Sequence, residues 1–202
     1  MEPADDMLCP AEPLDALVAQ LQHDDEGGLA RLGELLASWP LDPRLHFLQG
    51  SVLAGQQRYD EGRRAMARAV EVAPEYALAR FQLGFLDLTS GRALDAIAVW
   101  TPLAALPDDE PLRVLAEGLS NLAADQFSEA RRLLKRGMEL NKANPLVNAD
   151  MQLILDQIEN LPDGPRPEAS RPAAPAEADV PASAVDLLLQ QSRLKDDRGT
   201  RH

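Results

Sequence analysis

Few residues of this chain could do chemistry. The candidate metal ligands and nucleophiles are three histidines, His23, His46 and His202, and one cysteine, Cys9. Zinc sites draw on pairs of Cys or His at short spacing, and these four stand apart. His23 precedes Asp24-Asp25-Glu26, which reads as an acidic inter-helix turn rather than a metal site. A catalytic thiol needs a lowered pKa and a base; Cys9 has neither in view and reads as an ordinary residue near the N-terminus. Gly27-Gly28 lacks the preceding strand and following lysine of a phosphate loop. Asp108-Asp109-Glu110 lies between Pro107 and Pro111, at the head of a helix, where carboxylates complement the macrodipole. Acid–base work by such a pair needs a shaped, partly dry pocket. Arg63-Arg64, Arg131-Arg132 and Lys135-Arg136 fall on helix faces and read as solvated, with a grip on an acidic partner as the alternative. The expectation is no catalytic, metal or cofactor-binding residue: not an enzyme.

The elements that carry these residues follow from composition and period. The chain has 202 residues, 45% hydrophobic and 26% charged, with only 4% aromatic. Ala, Leu and Val dominate the apolar set, which favours helices over a β-sandwich. The net charge of −13 repels phosphate backbones and anionic lipid, so neither nucleic acid nor a membrane surface is an expected partner. No run of about 18 apolar residues occurs, so membrane insertion is not expected. The acidic start Met1-Glu2-Pro3-Ala4-Asp5-Asp6 has no basic region followed by an apolar one and does not read as a secretory signal. A cytoplasmic protein is expected, and the Ala/Leu/Arg-rich usage points to a bacterial source.

Gly50, Gly84 and Gly118 stand 34 residues apart. Each ends a similar phrase: Phe47-Leu48-Gln49-Gly50, Phe81-Gln82-Leu83-Gly84 and Leu115-Ala116-Glu117-Gly118. Twelve residues on come Gly62, Ala96 and Ala130, and four further on Met66, Trp100 and Leu134. Tyr59 and Phe127 share one register, Pro40 and Pro74 another. A small residue on one helix lets its partner approach closely, and the large ones fill the space between successive pairs. One such pair cannot bury its apolar face, so units must stack.

In these positions the chain resembles the tetratricopeptide-repeat (TPR) family, with departures at Gly62, Gly137 and Glu117. The resemblance implies an all-α fold, a right-handed solenoid of antiparallel helix pairs. The expected organisation is a flexible N-terminus over 1–12 and a solenoid over 13–160. The solenoid divides into a degenerate unit at 13–40, repeats at 43–76, 77–110 and 111–144, and a capping helix at 145–160. Asp42 is expected to cap a helix beginning at Pro43. In the capping helix, Leu146, Met151, Ile154, Leu155 and Ile158 are expected to form the buried stripe.

Six prolines are scattered between 161 and 183, which reads as a disordered linker. The tail at 184–202 then carries Val185, Leu188 and Leu189 on one helical face. This is either an incidental apolar end or a docking segment, for a partner or for the protein's own groove.

The resemblance also implies where binding occurs. The concave wall would be lined by Phe47 and Ser51, by Leu78, Phe81, Phe85 and Leu88, and by Leu112, Leu115, Leu119 and Leu122. The family's clamp for C-terminal carboxylates needs Lys, Asn and Arg at such places, so that ligand is not expected. An apolar peptide or helix of a partner protein is. The implied function is an adaptor or scaffold. The alternatives are a dedicated chaperone of the type III secretion class and an accessory module of a separate enzyme chain. The oligomeric state is open between monomer and dimer.

Overall fold

A computed structural model describes residues 8–162. Residues 1–7 of the expected N-terminal stretch 1–12, the linker from 163 and the tail segment with Val185, Leu188 and Leu189 lie outside the described residues. The described chain is all helical, with nine α-helices and no strand. They are α1 (Ala11–Leu21), α2 (Asp25–Ser38), α3 (Pro43–Gly55), α4 (Tyr59–Val72), α5 (Ala77–Thr89), α6 (Ala93–Trp100), α7 (Pro111–Ala123), α8 (Phe127–Leu140) and α9 (Pro145–Ile158). A 3-10 helix, Thr101–Ala105, extends α6. The chain divides into two compact units, Met1–Leu86 and Asp87–His202, with the boundary inside α5.

In the first unit α1 packs on α2, α2 on α3 and α3 on α4. Leu17, Leu32, Leu35 and Leu45 are its buried centre, with Cys9 beside them. Asp24 caps α2 through the amide of Gly27 at 2.9 Å, and Asp42 caps α3 through that of Arg44, with Pro43 at the first helical position. In the second unit α6 packs on α7, α7 on α8 and α8 on α9. Here α6 is only eight residues long. Pro102 lacks the amide hydrogen an α-helix requires and tightens the chain into the 3-10 turn.

The 34-residue period is also written in the backbone. Gln57, Gly91 and Asp125 occupy one register and all have positive φ, at 62°, 79° and 56°. At each, the next amide reaches back to the carbonyl five residues before it: Arg58 to Leu53, Arg92 to Asp87 and Gln126 to Asn121, at 2.9, 2.8 and 2.9 Å. These are left-handed caps that close the first helix of a pair and free the second. Only the middle one uses glycine. A side chain in this conformation costs about 1 kcal/mol, so Gln57→Gly and Asp125→Gly are each expected to raise stability by roughly 0.5–1 kcal/mol. A urea titration checks this.

The capping helix departs from expectation at one residue. Leu146 is 81% exposed, and Val147 takes its place in the stripe with Met151, Ile154, Leu155 and Ile158. Pro145 at the first helical position sets the phase, and residue 147 rather than 146 is then in line with 151, 154 and 158. The α8–α9 corner is tied by asparagines that the sequence did not single out. Asn141 is buried and donates to the Asn144 carbonyl and to Asn148 Oδ1, both at 2.8 Å. Asn148 donates in turn to the carbonyls of Met138 and Asn141. Arg131, expected to be solvated, donates to the carbonyls of Ile158 and Leu161 at 2.8 and 3.0 Å. There it closes the C-terminus of α9, where a cation suits the helix dipole.

Candidate functional site

The first unit holds a buried polar node. Asp42 is fully buried, and its carboxylate accepts from the Cys9 amide at 2.8 Å. It also accepts from the Arg44 amide at 2.9 Å, from Arg44 Nε at 3.0 Å and from Arg44 Nη2 at 2.6 Å. Arg44 Nη2 donates further to the Cys9 carbonyl at 2.7 Å. Burial pushes the Asp42 carboxyl up, but the hydrogen bonds from Arg44, the Cys9 and Arg44 amides and the Arg44 charge outweigh it and hold its pKa below the ordinary value. The node pins the segment before α1 to the turn before α3. Cys9 contributes its backbone; its thiol is buried, and that burial, with the Asp42 charge, pushes its pKa up. The thiolate is the reactive form, so Cys9 is expected to react slowly with a disulfide reagent until the protein is denatured. A thiol titration with and without urea measures this.

Of the residues expected to line a wall, Phe47, Ser51, Leu78 and Phe85 are half-buried. The Phe47 ring meets that of Tyr76 at 5.5 Å, and the Ser51 hydroxyl donates to the Phe47 carbonyl. Phe81 is fully buried, its ring 6.4 Å from that of Phe85.

In the second unit Leu88, Leu112, Leu115, Leu119 and Leu122 are all buried, at 5% exposure or less. They are core contacts and present no surface. One cause is the close approach of α7 and α8: a methyl group added at Gly137 would lie 2.5 Å from Leu115, and one at Gly118 would lie 3.0 Å from Leu134. The next stripe round α7 is the one that opens outward, carrying Arg113, Glu117, Ser120 and Asn121.

That stripe walls a cavity of about 380 Å³ between α6 with its 3-10 extension, α7 and α8. Trp100, Leu103, Ala116 and Leu133 are its buried apolar members, and Ile97 and Thr101 lie at its exposed edge. Arg113 donates to the Leu106 carbonyl and pairs with Asp108 at 2.7 Å and Glu117 at 3.1 Å. Across from it Arg132 pairs with Glu129 on α8. The Ser120 hydroxyl is turned back onto the Ala116 carbonyl at 2.7 Å, so it is not held by a base as a nucleophile would be. An apolar slot with charges of both signs on its rim suits side-chain and backbone recognition. Among the described residues no three His, Cys, Asp or Glu gather as metal ligands, and no helix is long and apolar enough to cross a membrane.

Sequence reasoning passed over Arg113, Ser120 and Asn121 and read Arg132 as solvated, with a grip on an acidic partner as the alternative; one further signal pointed to this rim. Glu117 stands where the repeat pattern expects leucine, and it is one of the residues that line the cavity.

No protein-family model matches the chain, and no curated protein sequence does. Solved structures do match. A double mutant of MamA from strain RS-1 aligns over 77% of this chain and 96% of its own, at 15% identity and a TM-score of 0.54. MamA 41-end from Desulfovibrio magneticus RS-1 aligns over 98% of this chain and 99% of its own, at 13% identity and the same TM-score. MamA is a helical TPR solenoid protein. The fold is a TPR-like helical repeat. The paired helices α3–α4 and α7–α8, with glycines at their closest approach, are what such a repeat consists of.

Proposed function

We propose that this chain is a non-catalytic, cytoplasmic adaptor that seats a peptide or helix of a partner protein. Three 34-residue repeats at 43–76, 77–110 and 111–144 carry it, with a degenerate pair before them and α9 as the cap. The observation that carries this reading is the cavity on α6, α7 and α8, where an apolar floor is rimmed by donors and acceptors. TPR-like folds present such surfaces to other polypeptides, which supports a scaffold role. The apolar component of the ligand is set against Ile97, Trp100 and Leu133, and its polar groups against Arg113, Asn121 and Arg132. Half-exposed Phe47, Leu78 and Phe85 offer a second apolar surface on the first unit.

The test is affinity capture with quantitative mass spectrometry, comparing the native chain with Ile97→Glu/Arg132→Glu. Both residues are exposed, so helical circular dichroism should stay unchanged. Partner yield should fall about tenfold or more, which corresponds to at least 1.4 kcal/mol of binding. Equal yield from the variant would overturn the cavity as the seat. Phe81 is unsuited to this test: its burial makes any polar substitution there a test of folding.

A further inference from the structure

Helix α9 leaves an apolar stripe bare. Leu146 is 81% and Leu153 is 58% exposed, with Ala149 exposed between them. The three stand at i, i+3 and i+7, the spacing along which a second helix packs at a shallow angle. One repeat earlier the same register holds Leu112, Leu115 and Leu119, which are buried, Leu115 directly against Gly137 of α8. What differs is the chain that follows. The second helix of a pair begins 16 residues after the first, as Tyr59 follows Pro43 and Phe127 follows Pro111. After Pro145 that place is residue 161, and there the sequence has Pro162, Pro165 and Pro167 in place of the apolar pattern of a second helix.

Asp150 borders the bare stripe on the side of the buried face, one turn after Leu146 and one turn before Leu153. It is half-buried, and burial pushes its carboxyl up. A carboxylate in that setting gains from a cation beside it.

We propose that residues 185–194 of the same chain pack antiparallel along this stripe and supply the helix that the repeat lacks. Val185, Leu188, Leu189 and Ser192 form the matching face at i, i+3, i+4 and i+7. With Leu189 against Leu153, Arg193 comes level with Ala149 and Asp150 and provides the cation. The connection suits this seat. Twenty-two residues stand between Pro162 and Val185, a link that spans about 26 Å as a random coil and more when extended. The 14 residues of α9 measure about 21 Å. A segment tethered at this distance is present at roughly millimolar effective concentration, which favours it over a free partner of equal chemistry. This proposal is independent of the cavity on α6–α8 and fails separately from it.

The experiment uses the full chain with Cys9→Ala, which keeps the backbone bonds to Asp42 and Arg44, and a nitroxide on Gln191→Cys. The amide NMR signals of residues 146–157 should weaken severalfold against the reduced label. Leu188→Glu/Leu189→Glu should restore them, and so should Leu146→Glu/Leu153→Glu, whose exposed positions leave the fold intact by circular dichroism. Weakening on α6 around Leu94 and Ile97, or on no helix, would overturn the proposal. Weakening seen only when labelled and isotope-enriched molecules are mixed would overturn it too, because a second copy would then supply the segment.

Discussion

Asp42→Ala lowers the stability of the first unit by about 3 kcal/mol and frees the segment before α1. Removing one partner of a buried ion pair costs roughly 3–5 kcal/mol. The lower end applies because the Arg44 side chain is 37% exposed, and water screens what it loses. The substitution also removes the cap of α3 and leaves the Cys9 and Arg44 amides without their acceptor. Equilibrium urea unfolding gives the magnitude. A second signature is the thiol of Cys9, whose modification should accelerate as the node opens. The pH dependence follows from the direction of the Asp42 shift. Its folded pKa lies below the unfolded value near 3.8, so its stabilisation is complete above that value. It is lost as pH falls through the folded pKa. The wild type and Asp42→Ala should therefore differ fully at pH 7 and converge below about pH 4. A difference that stays constant down to pH 2 would mean that the carboxylate charge does not contribute.

Gly50→Leu abolishes cooperative folding of the first unit. Even a methyl group at this position would lie 2.4 Å from Met66 Cγ and 3.0 Å from both the Gly62 carbonyl oxygen and the Met66 amide nitrogen. Met66 can turn aside, but the α4 backbone cannot. Gly50→Ala is expected to cost about 1–3 kcal/mol, the usual range for overpacking. Leucine exceeds what α3 and α4 can absorb without separating. Gly33 on α2 is the control, because nothing lies within 4 Å of an added methyl group there. Gly33→Ala should stabilise by about 0.8–1 kcal/mol through helix propensity alone. Thermal melts followed by circular dichroism compare the three. A Gly50→Leu variant that melts like wild type would show that the two helices are not held at this spacing.

The amino-acid sequence by itself determined the helical repeat, because that rests on local and periodic requirements. Gly50 and Gly62, and Gly118 and Ala130, mark where helices touch; Asp42-Pro43 and Asn144-Pro145 mark where helices begin. Each is a property of a few residues at fixed spacing. The shortened α6 follows from Pro102, which the sequence also displays. What only the tertiary structure decided is which stripe of a helix is open. Leu112 and Arg113 are neighbours in the chain but point about 100° apart, so a shift of one residue exchanges core for surface. That angle separates the buried leucines of α7 from the rim of Arg113, Glu117 and Asn121, and buried Val147 from bare Leu146. The role of Asp42 likewise depends on Cys9, 33 positions earlier in the chain. That partnership exists only once α1, α2 and α3 have packed, since no rule of spacing brings an amide there.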